Sequence, residues 1–273
     1  MKILGVSLGT KNGNNDTMCR VALEAAKEKG AEIEFIHLLD WDIQYCSGCV
    51  ACSRGLVMGK GMICSRQDDF KAFYEKVVEA DGVLFVDPIF ESGATGLYHS
   101  ITDRMGPGHD TGMMKMLDGK LKEAGKEGLN PRYFRQKALS FVGIGGSDWA
   151  VRCETDHAMF ALSPGWKVVN NEFFSWCKDV IMQDDKVERM KEIGRNLADA
   201  AQQIIDEDMQ IEGSENTSLW KGKEGACPHC QGNNFYIYPG TTHCVCELCG
   251  LEGTLEIVDG AFKFKYDPAT EHH

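Results

Sequence analysis

Short runs of apolar residues alternate along the first 205 positions with stretches in which apolar residues recur at helical spacing. A short apolar run bounded by turn residues is typical of a buried strand, whereas recurrence every three or four positions indicates a helix with one buried face. Strands are predicted on this basis at residues 2–7, 33–39, 82–88, 138–146 and 166–174. Helices are predicted after each of them, at residues 18–25, 70–78, 94–104, from about 149, and at 187–204.

Repeated strand–helix units predict a parallel sheet with helices on both faces. Five such units, with no second nucleotide-binding half, indicate the α/β, flavodoxin-like member of the doubly wound class. The predicted flavodoxin-like domain covers residues 1–205, with an insertion at 106–136 between the third helix and the fourth strand. A polar stretch at 206–223 is interpreted as a linker, and residues 224–270 as a small separate β domain.

The composition restricts the possible partners of the chain. A net charge of −12 argues against a nucleic-acid surface, which requires clustered Lys and Arg. No signal-peptide pattern is found, and no uncharged apolar run approaches the roughly 20 residues of a membrane helix. We therefore expect a cytoplasmic protein that binds neither nucleic acid nor membrane. The 12 cysteines, several in C-x-x-C pairs, then indicate metal binding rather than disulfides.

The loop after the first strand is rich in neutral hydrogen-bonding side chains. It contains neither an ATP-type P-loop nor a dinucleotide-binding glycine motif. At a helix N-terminus such a loop suits a phosphate monoester, and FMN is the common ligand of that kind. The alternative is an ordinary polar loop with Asn15 or Asp16 as helix cap. The candidate phosphate-binding residues are Ser7, Thr10, Asn12, Asn14, Asn15 and Thr17.

Two further loops follow the third and fourth strands, at 87–106 and 143–149, and contain "DPIFESGATGLYHSITDRMG" and "GIGGSDW". The carboxyl ends of strands beside the topological switch point form the ligand crevice of such folds. Backbone N–H groups of a glycine-rich loop can approach the edge of a flat ring closely. These loops favour FMN over the ordinary-loop alternative.

With these motifs the first 200 residues or so resemble the NADPH-dependent FMN reductase and iron–sulfur flavoprotein group. One departure is Asp87, where the family usually has a hydroxyl residue before the proline. The resemblance implies that the FMN phosphate lies on the first loop, on Ser7, Asn12, Asn14 and Asn15 or Thr17. It implies that the isoalloxazine ring lies against Pro88, Ile89, Phe90 and Glu91 and against the glycine loop Gly143, Gly145, Gly146 and Ser147.

The same resemblance implies a flavin-dependent oxidoreductase. Its electron donor would be NAD(P)H or a ferredoxin-type protein, its acceptor a small molecule or a protein, and its assembly a homodimer or homotetramer. An electron carrier acting only on protein partners and a redox-responsive binding protein are the alternatives. No hydrolase motif is present, and catalysis would be centred on the flavin, with His99 a weak candidate for proton donation.

Four cysteines near the start of the chain form the front cysteine group, Cys46, Cys49, Cys52 and Cys64. Three thiolates spaced C-x-x-C-x-x-C with a more distant fourth can ligate a cubane cluster. A 4Fe–4S cluster is expected here, as the family resemblance also implies, with free redox-active thiols or zinc as alternatives. The gap before Cys64 is longer than the family usually has, but loop length alone costs little entropy.

Four cysteines near the end form the rear cysteine group, Cys227, Cys230, Cys246 and Cys249. Two C-x-x-C pairs at this separation predict a tetrahedral zinc site in a zinc ribbon, with a hairpin turning at Asp259–Gly260. Cys244 and His243 are possible substitute ligands, and rubredoxin-type iron is a possible substitute metal. Four lysines against seven acidic residues from Lys221 onward argue against a nucleic-acid-binding ribbon and favour a structural or partner-docking role.

Overall fold

The computed structural model describes residues 1–58, 64–106, 108–211 and 219–270. Its larger sheet has five parallel strands in the order β2-β1-β3-β4-β5. The strands are β1 Lys2–Ser7, β2 Glu32–His37, β3 Gly82–Pro88, β4 Ala138–Ile144 and β5 Lys167–Phe174. This strand order confirms the flavodoxin-like fold.

Helices cover both faces of this sheet, so the strands are buried on both sides. The helices are α1 Asn14–Glu28, α2 Ala51–Val57, α3 Phe70–Glu79, α4 Gly96–Thr102, α5 Thr111–Glu123, α6 Cys153–Leu162 and α7 Asp184–Asp206. Apolar residues of α1 and α7 pack on one face, and those of α3, α4 and α6 on the other. A Cβ at Gly194 would overlap the carbonyl oxygen of Ala22, so glycine permits the close approach of α7 to α1.

Several predicted boundaries were wrong by a few residues. The helix expected from about residue 149 begins at Cys153, because residues 145–152 form a loop in which Trp149 is exposed. The helix expected at 94–104 is shorter, because Thr95 caps its first turn by accepting a hydrogen bond from the Tyr98 N–H. The predicted second strand ends at His37, where a 3-10 turn follows.

The described residues outside the predicted strand–helix units form a helix or pack on the core. The insertion at 106–136 contains α5, whose N-terminus is capped by the Asp110 carboxylate. Of the predicted linker, residues 212–218 lie outside the described part of the chain. Leu219 is buried in the α1–α7 side of the core, and Trp220 packs against the other side.

The C-terminal region forms a four-stranded antiparallel sheet, as predicted for a ribbon. Its strands are β6 Phe235–Ile237, β7 His243–Cys246, β8 Glu252–Val258 and β9 Ala261–Tyr266. Asp259 and Gly260 both have positive φ, as the two-residue hairpin turn between β8 and β9 requires. Among the described residues, no helix is long and apolar enough to span a bilayer.

Candidate flavin site and cysteine centres

The loop between β1 and α1 is organised by the buried carboxylate of Asp16, which the sequence suggested only as a possible helix cap. Asp16 accepts hydrogen bonds from the Ser7 hydroxyl and, at 2.7 Å, from the Asn12 N–H, and its other contact is His37 Nδ1 at 3.0 Å. Burial alone would raise the pKa of Asp16, but these three hydrogen bonds hold it below its usual range. The predicted phosphate residue Ser7 is therefore directed into the protein, towards Asp16.

The remaining predicted phosphate residues surround the N-terminus of α1. Thr10 and Asn12 are exposed, Thr17 donates to the Gly13 carbonyl, and Asn14 donates to the carbonyl of Cys177 at 2.7 Å. Gly13, rather than Asn15 or Asp16, is the N-cap residue. The Asn15 side-chain nitrogen is buried and has no hydrogen-bond partner. A buried amide donor of this kind beside a helix N-terminus suits an anionic ligand.

The loop after β3 forms a tight, strained turn. Phe90 and Gly93 exchange backbone hydrogen bonds of 3.1 and 3.0 Å. Between them Glu91 and Ser92 have positive φ values of 47° and 67°, which non-glycine residues adopt rarely. Phe90 is exposed, while Pro88 and Ile89 are half-buried. Strain of this kind persists only where the surrounding structure holds it, and it often marks a ligand-binding segment.

The glycine loop after β4 packs directly on this turn. The Ile89 N–H donates to the Ile144 carbonyl at 3.0 Å, and a Cβ at Gly143 or Gly145 would lie 3.1 Å from the Ile89 side chain. Gly146 is exposed and Ser147 half-buried at the open end of the loop. The structure therefore brings together the residues that the sequence proposes for the flavin ring, at the carboxyl ends of adjacent strands.

Asp87, the departure from the usual family pattern, is completely buried beneath this turn. Its carboxylate accepts hydrogen bonds from the Thr95 N–H at 2.9 Å and the Thr95 hydroxyl at 2.7 Å. It also lies 3.3 Å from Nε2 of the buried His157, whose Nδ1 is 3.6 Å from the Cys153 sulfur. Burial alone would lower the pKa of His157, but Cys153 and Asp87 together raise it to about 10. An imidazolium at this position balances the Asp87 charge.

His99, the weak candidate for proton donation, lies on α4. Its Nε2 is 3.7 Å from an Asp156 carboxylate oxygen, and its side chain is 41% exposed. The structure therefore leaves it accessible to solvent next to the β3 loop.

The front cysteine group does not converge. Cys46 and Cys49 are exposed, Cys52 lies half-buried on α2, and Cys64 is half-buried after residues 59–63, which are outside the described part. The Ser65 hydroxyl lies 3.1 Å from the Cys49 sulfur and, with nearby N–H groups, lowers the pKa of this thiol to about 7. Across the described ranges, only the rear cysteines form a close set of three or more potential metal ligands.

A buried ion pair fixes the two ends of the front cysteine segment. The Arg104 guanidinium binds both carboxylate oxygens of Asp68, and both side chains are at most 2% exposed. Arg104 also donates to the Cys64 sulfur at 3.0 Å and to the Gln44 carbonyl at 3.2 Å. Through these contacts Arg104 links Gln44 to Cys64, at the two ends of the front cysteine segment.

The rear cysteine group converges on one point. The Cys227 and Cys249 sulfurs lie 3.7 Å apart, those of Cys230 and Cys246 lie 3.5 Å apart, and all four lie within 4.8 Å of one another. A tetrahedral ion with metal–sulfur bonds of about 2.3 Å requires sulfur–sulfur distances of about 3.8 Å. The geometry therefore fits a single tetrahedral ion. Cys244, a possible substitute ligand, is buried outside this group.

Sequence reasoning missed three charged groups near the loops, the buried Arg104 and His157 and the largely buried Asp156. These residues lie inside a helix or just after one, where charged residues usually face solvent. One signal was available, since Asp87 breaks the family motif and a buried carboxylate requires a partner. Nothing in the sequence indicated that His157 is that partner, 70 positions away.

Comparison with known proteins shows similarity to flavin-dependent reductases over most of the chain. The family profile for NADPH-dependent FMN reductase matches residues 1–179. A solved structure of a flavone reductase is 39% identical, with a TM-score of 0.82, and the alignment covers 99% of this chain and 82% of the other. A flavone synthase, cfoJ, of Aspergillus candidus is 27% identical over 99% of this chain and 83% of its own.

Iron–sulfur flavoproteins are also similar to parts of the chain. That of Archaeoglobus fulgidus is 29% identical over 55% of this chain, and that of Methanocaldococcus jannaschii is 34% identical over 39%. The matches span 64% and 53% of these two relatives, less than two thirds of their own length. Because the reductase profile covers well over half of the residues, the chain belongs to the NADPH-dependent FMN reductase family of flavin-dependent oxidoreductases.

Proposed function

We propose that this protein is an FMN-dependent reductase that takes a hydride from NAD(P)H and reduces a planar aromatic acceptor with a conjugated C=C–C=O group, such as a flavone. The net reaction converts NAD(P)H, a proton and the enone into NAD(P)⁺ and the dihydro product. The observation that carries the proposal is the close fit of the whole chain to a flavone reductase, with 39% identity and a TM-score of 0.82. Family membership supports the nicotinamide donor.

The donor groups of the first loop support FMN as the cofactor. The unpartnered Asn15 amide and the N-terminus of α1 would hold the phosphate, as would the exposed Thr10 and Asn12. The strained turn at Phe90–Gly93 and the glycine loop would hold the ring. FMN supplies the two-electron hydride chemistry when bound, and the protein positions it against donor and acceptor.

Exposed aromatic side chains support a planar acceptor. Phe90, Trp149 and Trp176 follow β3, β4 and β5, and each is about 60% exposed, at 61%, 59% and 63%. Trp176 has a φ of 59°, which is rare for a bulky residue, and its neighbour Cys177 binds both the Gly145 carbonyl and the Asn14 amide. Aromatic side chains held beside a ring-binding crevice favour stacking of a flat substrate.

The primary test measures FMN and turnover in the same preparation. We expect yellow protein that releases FMN on denaturation and oxidises NADH or NADPH when flavone is supplied. Protein that neither carries nor takes up FMN would contradict the cofactor. Protein that binds FMN but reduces only quinones or free flavin would contradict the acceptor.

A matched pair of variants tests the aromatic wall. Trp176→Leu is expected to raise KM for flavone about threefold to tenfold, the loss of one stacking contact, while FMN stays bound. Phe262→Leu removes an aromatic residue that is 70% exposed on the ribbon, and should leave KM unchanged. Equal KM values in both variants would place the acceptor elsewhere.

The iron–sulfur relatives favour a second candidate function, an electron carrier that acts on protein partners. In that case the front cysteine group would hold a 4Fe–4S cluster and the rear group zinc. Anaerobic purification with metal analysis tests both assignments, with about four irons and one zinc per chain expected. Iron-free protein with full flavone turnover would eliminate the carrier function. A cytoplasmic location would keep the thiols of both cysteine groups reduced.

The exposed apolar side chains at the crevice would also suit assembly as a homodimer.

A further inference from the structure

Helix α6 lies between the rear metal centre and the proposed flavin-binding turn. Its residues 154, 155, 158 and 162 contact the ribbon, while residues 153, 156, 157 and 160 contact the sheet side. These two sets lie on different faces of the helix, as its period requires. The helix therefore connects two sites that lie far apart in the sequence.

On the flavin side, the N-terminal half of α6 holds the β3 loop. The Asp156 carboxylate accepts a hydrogen bond from the Ala94 N–H at 3.0 Å, and the Arg152 N–H donates to the Ser92 carbonyl at 3.0 Å. A Cβ at Gly93 would overlap the Asp156 carboxylate, so the turn and the helix are in close contact. These contacts act on the turn whose positive φ values require support from its surroundings.

Two further groups attach the turn to the middle of the helix. His157 lies 3.3 Å from Asp87, which in turn binds both polar groups of Thr95. The Tyr98 hydroxyl donates to the His157 carbonyl. Residues 87–98 are thus fixed at both ends by one helical segment.

On the ribbon side, the same segment is held by residues next to the metal ligands. Glu154 forms an ion pair with Lys223 at 2.7 Å and accepts a hydrogen bond from Asn233 at 2.7 Å. The Asn234 amide donates to the Val151 carbonyl at 2.8 Å. Ala158 is buried against Cys227, Cys246 and Leu248. The ribbon and the residue before it thus contact α6 directly.

We propose that the rear metal centre positions the flavin-binding turn through α6, so that Asp156 and His157 act as positioning residues for FMN. A ribbon of this size is not expected to fold without its metal. Metal loss would remove the ribbon contacts of Glu154 and Ala158, and the helix would hold the turn less tightly. The proposal rests on the proposed FMN site, and it gives the ribbon a role within its own chain.

Metal removal by substitution tests the coupling in the full-length protein. Cys249→Ser removes one of the four ligands, and Cys244→Ser changes a buried ribbon cysteine outside the group. Cys249→Ser is expected to raise the Kd for FMN about tenfold, a usual size for coupling between sites, and Cys244→Ser to leave it unchanged. Hydrogen exchange should accelerate at the Ala94 and Thr95 amides, which donate to Asp156 and Asp87, in the first variant alone.

A second pair of variants tests the same coupling without removing a metal ligand, so that unfolding of the ribbon cannot explain the result. Glu154→Ala keeps all four ligands but removes the Lys223 and Asn233 contacts, and Met159→Ala changes an exposed residue of the same helix. Faster exchange at Ala94 and weaker FMN binding are expected in Glu154→Ala with zinc retained. Equal exchange at residues 87–98 in all four variants would overturn the proposal. Wild-type protein that fails to bind FMN would instead contradict the proposed function, because the exchange difference does not require flavin.

Discussion

The two cysteine groups have the same number of thiols and similar C-x-x-C spacing, yet only the rear group has its sulfur atoms close together. The rear four converge within 4.8 Å, whereas the front four are spread over an exposed loop, a helix and the start of the next segment. The comparison shows that similar spacing does not by itself bring the thiols together, and that in the rear group the chain between the pairs also closes on itself.

Closure of the rear group is built into its backbone. The Gln231 N–H donates to the Cys227 carbonyl and the Gly250 N–H to that of Cys246, so each pair turns on a tight knuckle. Gln231 and Gly250 have positive φ, as such turns require. The antiparallel pairing of β6 with β7 then brings the two knuckles together.

The front group lacks this local closure. Cys46 and Cys49 lie in an exposed loop in which Gly48 and Val50 have positive φ, and the Cys64 sulfur accepts a hydrogen bond from Arg104, which follows α4. A metal bound here would have to gather side chains that the surrounding fold leaves apart.

The largest expected effect distinguishes the two groups directly. Cys246→Ser should weaken metal binding by more than about 100-fold, because changes in the outer shell alone cost about 10–100-fold. Cys46→Ser, in the exposed front loop, should change the free energy of unfolding by no more than about 0.5 kcal/mol in cluster-free protein. Zinc analysis and urea denaturation measure both. Retained zinc in Cys246→Ser, or a large destabilisation in Cys46→Ser, would contradict the proposed difference between the two groups.

An intermediate effect is expected at the ion pair that fixes the front segment. Arg104→Met leaves the Asp68 carboxylate buried without its partner, which should lower the free energy of unfolding by about 3 kcal/mol. Adding Asp68→Asn should recover part of the loss, because no buried charge then remains. Urea denaturation of the single and double variants gives the values, and a double variant no more stable than Arg104→Met would show that packing, not charge, is responsible.

The smallest effect concerns the exposed Cys49 thiol in cluster-free protein. Because its pKa is lowered to about 7, its alkylation by iodoacetamide should have a midpoint near pH 7 and continue only slowly below it. Ser65→Ala removes the main hydrogen bond and should shift the midpoint up, towards that of an ordinary thiol. Mass spectrometry of the labelled peptide follows the rate. A midpoint unchanged by Ser65→Ala would assign the shift to the backbone amides.

Much of the proposed flavin crevice was predictable because its parts are local. β1 and β3 have the predicted bounds, since continuous apolar runs ended by polar or proline residues leave little choice. The first loop, the turn after β3 and the glycine loop follow from strand ends, which meet at one edge of a parallel sheet. The helix expected from about residue 149 begins only at Cys153, because residues 145–152 form a loop in which Trp149 is exposed.

The sequence by itself determined the order of strands and helices along the chain and the rear cysteine group, because periodicity and short-range spacing depend on neighbouring residues. Only the tertiary structure decided the partners of the buried charges. Asp87 meets His157 across 70 positions and Arg104 meets Asp68 across 36. It also decided that the ribbon rests on α6, because contacts of this kind depend on shape and burial, which no local pattern records.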